Sequence, residues 1–195
     1  MEIKLGIETV LGVVTGIGLS AACGFRIFVP LLVMNLAVLY GRLHLAPGFE
    51  WIGSHYATIA FGTATGLEIL AYYIPWLDNV LDAITSPVSI IAGTIATASV
   101  ITDMPPSMKW MVAIIAGGGI AGIIQGVTTG LRGKSSLLTG GFGNPFVSTL
   151  ELAGAVLIAL LAIIIPVICL ILVAAFTMFV IFRALRNHFQ KMSVR

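Results

Sequence analysis

The stretch from Phe146 to Phe182 runs for 37 residues with one charged side chain, Glu151. A helix crosses the hydrocarbon core of a bilayer in about 20 residues, so this stretch belongs in lipid and is longer than one crossing needs. Pro166 lies inside it, where the ring removes a backbone hydrogen bond and crowds the carbonyl four residues back; a kink is expected there. Four more apolar segments precede it: Ile7 to Phe25, His55 to Trp76, Ile84 to Thr102 and Trp110 to Leu131. His55 to Trp76 is about 33 Å long as a helix and carries Glu68 as its only ionised group, so it is expected to span. Ile27 to Tyr40 is only 14 residues long and follows directly on Arg26; it either re-enters the membrane or crosses it steeply tilted. Charged residues make up 9% of the chain, against about a quarter in a soluble domain.

The expected fold is an all-α integral membrane protein, a compact bundle of five or six transmembrane helices. It forms one transmembrane domain over residues 1–182, followed by a basic tail at 183–195. The apolar stretch after Lys4 is not followed by a small-x-small cleavage site at a polar boundary, so the first span is expected to be retained. The lipid bilayer is the principal partner, and a net charge of +2 is too small to recruit nucleic acid. Cys23 and Cys169 fall within apolar runs, where a thiol acts as a small hydrophobe. With no histidine cluster beside them, neither a metal site nor a cofactor is expected. His44, His55 and His188 are isolated and read as interfacial.

Basic residues next to a span favour the cytoplasm. Arg183, Arg186, Lys191 and Arg195 therefore put the C-terminus of a multi-pass cell-membrane protein on that side. With six crossings, Lys4, Arg42 and Lys109 join them, seven against Arg26, Arg132 and Lys134. With five, Lys4 changes side and Arg26 sits at membrane depth, and the charge rule does not choose between the two counts.

Small residues recur every four positions at Gly12, Gly16, Ser20 and Gly24, with Arg26 two residues on. Gly118, Gly122, Gly126 and Gly130 repeat the pattern ahead of Arg132, at a constant offset of 106. Four-residue spacing puts each set on one helix face, where two backbones can approach closely, so these two helices are expected to cross through Gly16 and Gly122. Each is expected to end at its Gly-x-Arg, the arginine favouring the helix C-terminus. Units 7–76 and 110–182, linked by the helix at 84–102, then form a degenerate repeat. If Ile27–Tyr40 and the glycine-rich connection 132–145 both re-enter, the two copies are inverted, as in many transporters. Glycine faces on a chain this small also suit a homodimer.

A charge at the bilayer centre costs at least about 2.5 kcal/mol on insertion scales, so Glu68 must be paired, neutralised or hydrated. Arg26 and Arg132 are the basic residues expected near it. Glu151 has a structural reading: Ser148-x-x-Glu151, after Asn144 and Pro145, resembles a capping box opening the last helix. Asp78 and Asp82, four apart, face the same way on a helical turn and suit the mouth of a pathway, though two carboxylates make a poor metal site. Pro30 and Gly24, with Gly130, Asn144 and Pro145, read as packing or hinge positions.

The series G-F-R-x3-P (24–30), L-E followed by I-P-W-L-D-N-V-L-D (67–82) and N-P-F-V-S-T-L-E (144–151) resembles a widespread family of small membrane proteins catalogued only as a domain of unknown function. The resemblance covers nearly the whole chain and implies a fold rather than an activity. In that family a histidine and a lysine often precede the second arginine, where this chain has Gln125 and Thr129. From the residues, the expectation is a transporter or channel for a small ion or solute, with Arg26, Glu68, Arg132 and Glu151 lining the site and Asp78 and Asp82 at its entrance. The alternative is a non-transporting scaffold or lipid-interacting protein in which the same groups form structural ion pairs. A membrane enzyme ranks third, since no nucleophile elbow or phosphate-binding loop is present.

Overall fold

Proline and glycine positions set the helix boundaries. In a computed structural model, which describes residues 2–74 and 77–193 apart from the side chains of 2–5, 78–79, 184–185 and 187–193, the chain is an all-α bundle. Helix α1 spans Glu2–Phe25 and α2 spans Phe28–Leu39. The pair forms a hairpin because Pro30 would collide with the carbonyl of Arg26 if one helix continued through. After a 3-10 turn at Glu50–Gly53, α3 covers His55–Tyr72; the Ser54 hydroxyl caps it by accepting the Ala57 N–H at 3.1 Å. Helix α4 is Leu77–Val100. Pro105 and Pro106 then open a continuous 34-residue helix, Pro106–Thr139, made of α5 (Pro106–Val112), a π turn at Ala113–Gly118 and α6 (Gly119–Thr139). Gly140, at φ 62°, and Gly141, at φ 91°, end it in the left-handed conformation that glycine tolerates. Helix α7 is Asn144–Ile164, with Pro145 in its first turn, and α8 is Pro166–Ser193.

Five of these helical stretches are long and apolar enough to cross a membrane: Gly6–Phe25, Val80–Val100, Pro106–Thr139, Asn144–Ile164 and Pro166–Arg183. The stretch expected to be one kinked span is two antiparallel helices. A Cβ on Gly18 would touch both Ala162 of α7 and Cys169 of α8, and the Cys169 thiol lies 3.7 Å from the Ile158 carbonyl. Helix α2 is only 12 residues, about 18 Å, and α3 is 18 residues, not the 22 expected of a full span.

Close approaches fix the directions. Ser20 bonds the Gly117 carbonyl, and a Cβ on Gly24 would lie 2.6 Å from the Ala121 carbonyl oxygen; α1 and the α5–α6 helix therefore run parallel. A Cβ on Gly12 would lie 2.7 Å from the Val100 oxygen and one on Gly16 2.9 Å from Thr97, so α1 runs antiparallel to α4. Two expectations are corrected here. Gly16 and Gly122 do not face each other: both pack on α4, Gly122 against Ile90 at 3.2 Å, while Gly126 and Gly130 face open space. The two glycine helices also share one direction, which is not the arrangement of an inverted pair.

The bundle is layered by exposure. Half of the apolar segment of α1 and of α4 is buried inside the protein but only 11% of that of α8, so small residues fill the centre and α8 presents its Ile, Leu and Phe side chains to lipid. With the last stretch crossing twice, the loop after α2 and the α4–α5 turn, joined by the Ala46 N–H to Ser99 carbonyl bond at 2.7 Å, lie at the end where α1 begins. Arg42 and Lys109 are thus at the end opposite the basic tail rather than beside it.

Candidate functional site

Breaking the chain between α1 and α2 leaves an unsatisfied helix N-terminus inside the protein. Glu68, on α3, closes it: its carboxylate accepts the N–H of Ile27 at 2.9 Å and of Phe28 at 3.1 Å. Pro30 has no N–H to satisfy, so one carboxylate and one proline deal with three of the first four positions. Glu68 is 8% exposed, and among the described residues no arginine approaches it within ion-pair distance. Its expected partner was an arginine; its observed partner is the positive end of a helix dipole.

Arg26, at the break, is 2% exposed. Its Nη2 donates to the Ser148 carbonyl at 3.0 Å and lies 3.6 Å from Glu151, while its Nε and Nη1 have no hydrogen-bond partner among the described residues. Arg132 is the opposite case. Nε donates to both Glu151 oxygens at 3.0 and 3.1 Å, Nη2 pairs with Glu151 and Nη1 with Asp82. Both guanidinium groups lie over the Tyr72 ring, 3.9 and 4.0 Å from its centroid, a cation–π geometry that strengthens as water is excluded. The Tyr72 hydroxyl lies 3.4 Å from Asp82 and 3.2 Å from Thr85, which also accepts from Gln125 at 3.1 Å. Glu151 is the eighth residue of α7, so the cluster lies about 10 Å from one end of that helix and about 20 Å from the other.

Arg26, Glu68, Arg132, Glu151 and Asp82 are thus brought together, with three corrections. Asp82 is not at an entrance: it is 6% exposed and bonded to Arg132. Its companion Asp78 is on the first turn of α4, with a side chain outside the described residues. Ser148 and Glu151 do not form a capping box, because α7 begins four residues before Ser148, whose hydroxyl instead contacts the Tyr72 carbonyl at 3.5 Å. Arg132 is not at a helix C-terminus, since α6 continues to Thr139, and the break at Arg26 has no counterpart there. Asn144, fully buried, starts α7 and donates to Ser136 at 2.8 Å, tying the two sides of the 140–143 turn together. Sequence reasoning missed Tyr72, which read as one more apolar residue of its segment; an aromatic four residues after an intramembrane glutamate, on the same helix face, was the available signal.

A family model described as a domain of unknown function, DUF4126, matches residues 13–186, and the chain belongs to that family. No curated protein and no solved structure matches it.

Proposed function

We propose that this member of the DUF4126 family is a small transporter or channel that moves an ion or small solute past the Arg26 guanidinium. One observation carries the reading: a cation 2% exposed keeps two nitrogens without a hydrogen-bond partner among the described residues, although each unmet buried donor costs about 1–3 kcal/mol. Arg132, over the same Tyr72 ring, has a partner for every guanidinium nitrogen. Donors kept free at a helix break, inside a membrane bundle, are suited to a passing solute or its water. Discontinuous helices meeting at charged groups are how many transporters build such sites. In this reading Glu68 holds the break open, and Arg132, Asp82 and Glu151 form the wall.

The scaffold reading is favoured by Arg132 alone, whose pairs join α4, α6 and α7 whether or not anything moves. The 106-residue repeat, if it reflects a duplication, relates parallel copies that have since diverged at the second arginine. We place the tail in the cytoplasm of a cell-membrane protein, since Lys134 and the four tail residues outnumber Lys4, Arg42 and Lys109 at the other end.

Reconstitution in proteoliposomes tests the proposal. Arg26→Gln should fold, because Glu151 keeps Arg132, and should abolish flux read by pH- and potential-sensitive dyes. Wild-type vesicles that pass monovalent cations, halides and small carboxylates no faster than protein-free vesicles would leave the scaffold reading standing alone.

A further inference from the structure

Away from the ion cluster, α2 and α7 leave between them a groove of about 660 Å³, within the range of pockets that hold small organic ligands. Its walls are aliphatic: Val33, Leu36 and Ala37 of α2 face Leu160, Ile163 and Ile164 of α7. Only the mouth is polar, formed by Tyr40 and Arg42. The position of Arg42 is fixed by the way α2 ends. Gly41 turns left-handed at φ 66°, its N–H bonds the Val38 carbonyl at 3.0 Å, and the Arg42 N–H bonds the Ala37 carbonyl at 2.8 Å. This C-cap motif holds the backbone of Arg42 over the last turn of the groove wall. Both residues are exposed, and among the described residues Arg42 has no ion pair.

We propose that this groove binds an anionic phospholipid, one acyl chain lying along the α2–α7 walls and the phosphate meeting Arg42. The groove opens at one end of α2 and α7, where a tyrosine and an arginine suit headgroup level with their apolar stems toward the hydrocarbon. A free anion would have no use for the six aliphatic walls. A neutral lipid would leave the arginine without a counter-charge. The site shares no residue with the Arg26 cluster and stands or falls independently of transport.

Native mass spectrometry of the full chain in detergent, titrated with phosphatidylglycerol and with phosphatidylcholine of identical chains, tests it. The wild type should retain phosphatidylglycerol about fivefold better, the preference expected for one basic residue at an anionic surface. Arg42→Gln should erase the preference while both lipids still bind, and Arg42→Lys should restore most of it. Ala37→Phe should fill the groove and weaken both lipids, with an unchanged helical circular dichroism spectrum showing that the fold is intact. Equal retention of the two lipids by the wild type, an unaltered preference in Arg42→Gln, or a dimer that Ala37→Phe converts to monomer would each overturn the assignment, the last by making a second copy of the chain the occupant.

Discussion

Replacing Glu68 by glutamine separates a helix cap from an ion pair. The carboxylate closes the N-terminus of α2 through two bonds, 2.9 and 3.1 Å, to Ile27 and Phe28. Glutamine keeps one acceptor oxygen and turns an amide donor toward the other N–H. Leaving one buried N–H unmet costs about 1–3 kcal/mol, and losing a negative charge from a partly buried helix N-terminus adds up to about 2 kcal/mol. Total destabilisation should be about 1–5 kcal/mol, read by reversible unfolding in mixed micelles. Hydrogen exchange should show where it acts: the Ile27 and Phe28 amides should lose protection, and Glu151→Gln should leave them protected. Adding Arg26→Gln should not rescue the variant, because Arg26 is not left uncompensated by the loss of Glu68; it still has Glu151 at 3.6 Å. Stability within about 0.5 kcal/mol of wild type, unchanged exchange at 27–28, or rescue by Arg26→Gln would refute the cap.

Arg132→Gln leaves Asp82 and Glu151 buried without their shared partner and should cost about 3–5 kcal/mol; micelle unfolding of Arg132→Gln against Arg132→Gln/Glu151→Gln should show partial recovery in the double variant. Gly12→Leu and Gly16→Leu should destabilise strongly by wedging α1 from α4, whereas Gly126→Ala and Gly130→Ala, with open space at their Cβ positions, should change the thermal midpoint little.

The sequence located the polar residues better than their partners. The Gly24-x-Arg26 ending marked the break at Arg26, and Pro30 accounts for it, because proline sterics are local and act four residues back. Membrane insertion cost singled out Glu68, and with it Arg26 and Arg132 as the cations near it, since so few charges are tolerated there; Glu151 read as a helix cap. Partners were harder to read. Four-residue spacing gives a face but not what it meets, and so α4 was missed as the helix on which Gly12 and Gly16 of one stripe and Gly118 and Gly122 of the other pack. Glu68 met backbone amides, which carry no sequence signature. Residues 132–139 read as a loop from Gly133, Lys134 and two serines, yet they are helix, because a helix end that leaves the hydrocarbon no longer needs an apolar pattern. At Pro166 one kink and one hairpin look alike in sequence, and only the packing of Ala162 and Cys169 on Gly18 distinguishes them.

The most direct test of a solute site at Arg26 is whether water-borne reagents reach it. In a background with Cys23 and Cys169 replaced by alanine, Arg26→Cys protein in sealed proteoliposomes can be exposed to small charged methanethiosulfonates added from one side or the other. A pathway through the helix break requires the new thiol to react from at least one side, and to be protected by whichever ion or solute the wild type carries. If the folded variant stays unlabelled from both sides while a control cysteine at the exposed position Ser107 reacts, Arg26 is a sealed structural cation and the transport reading fails.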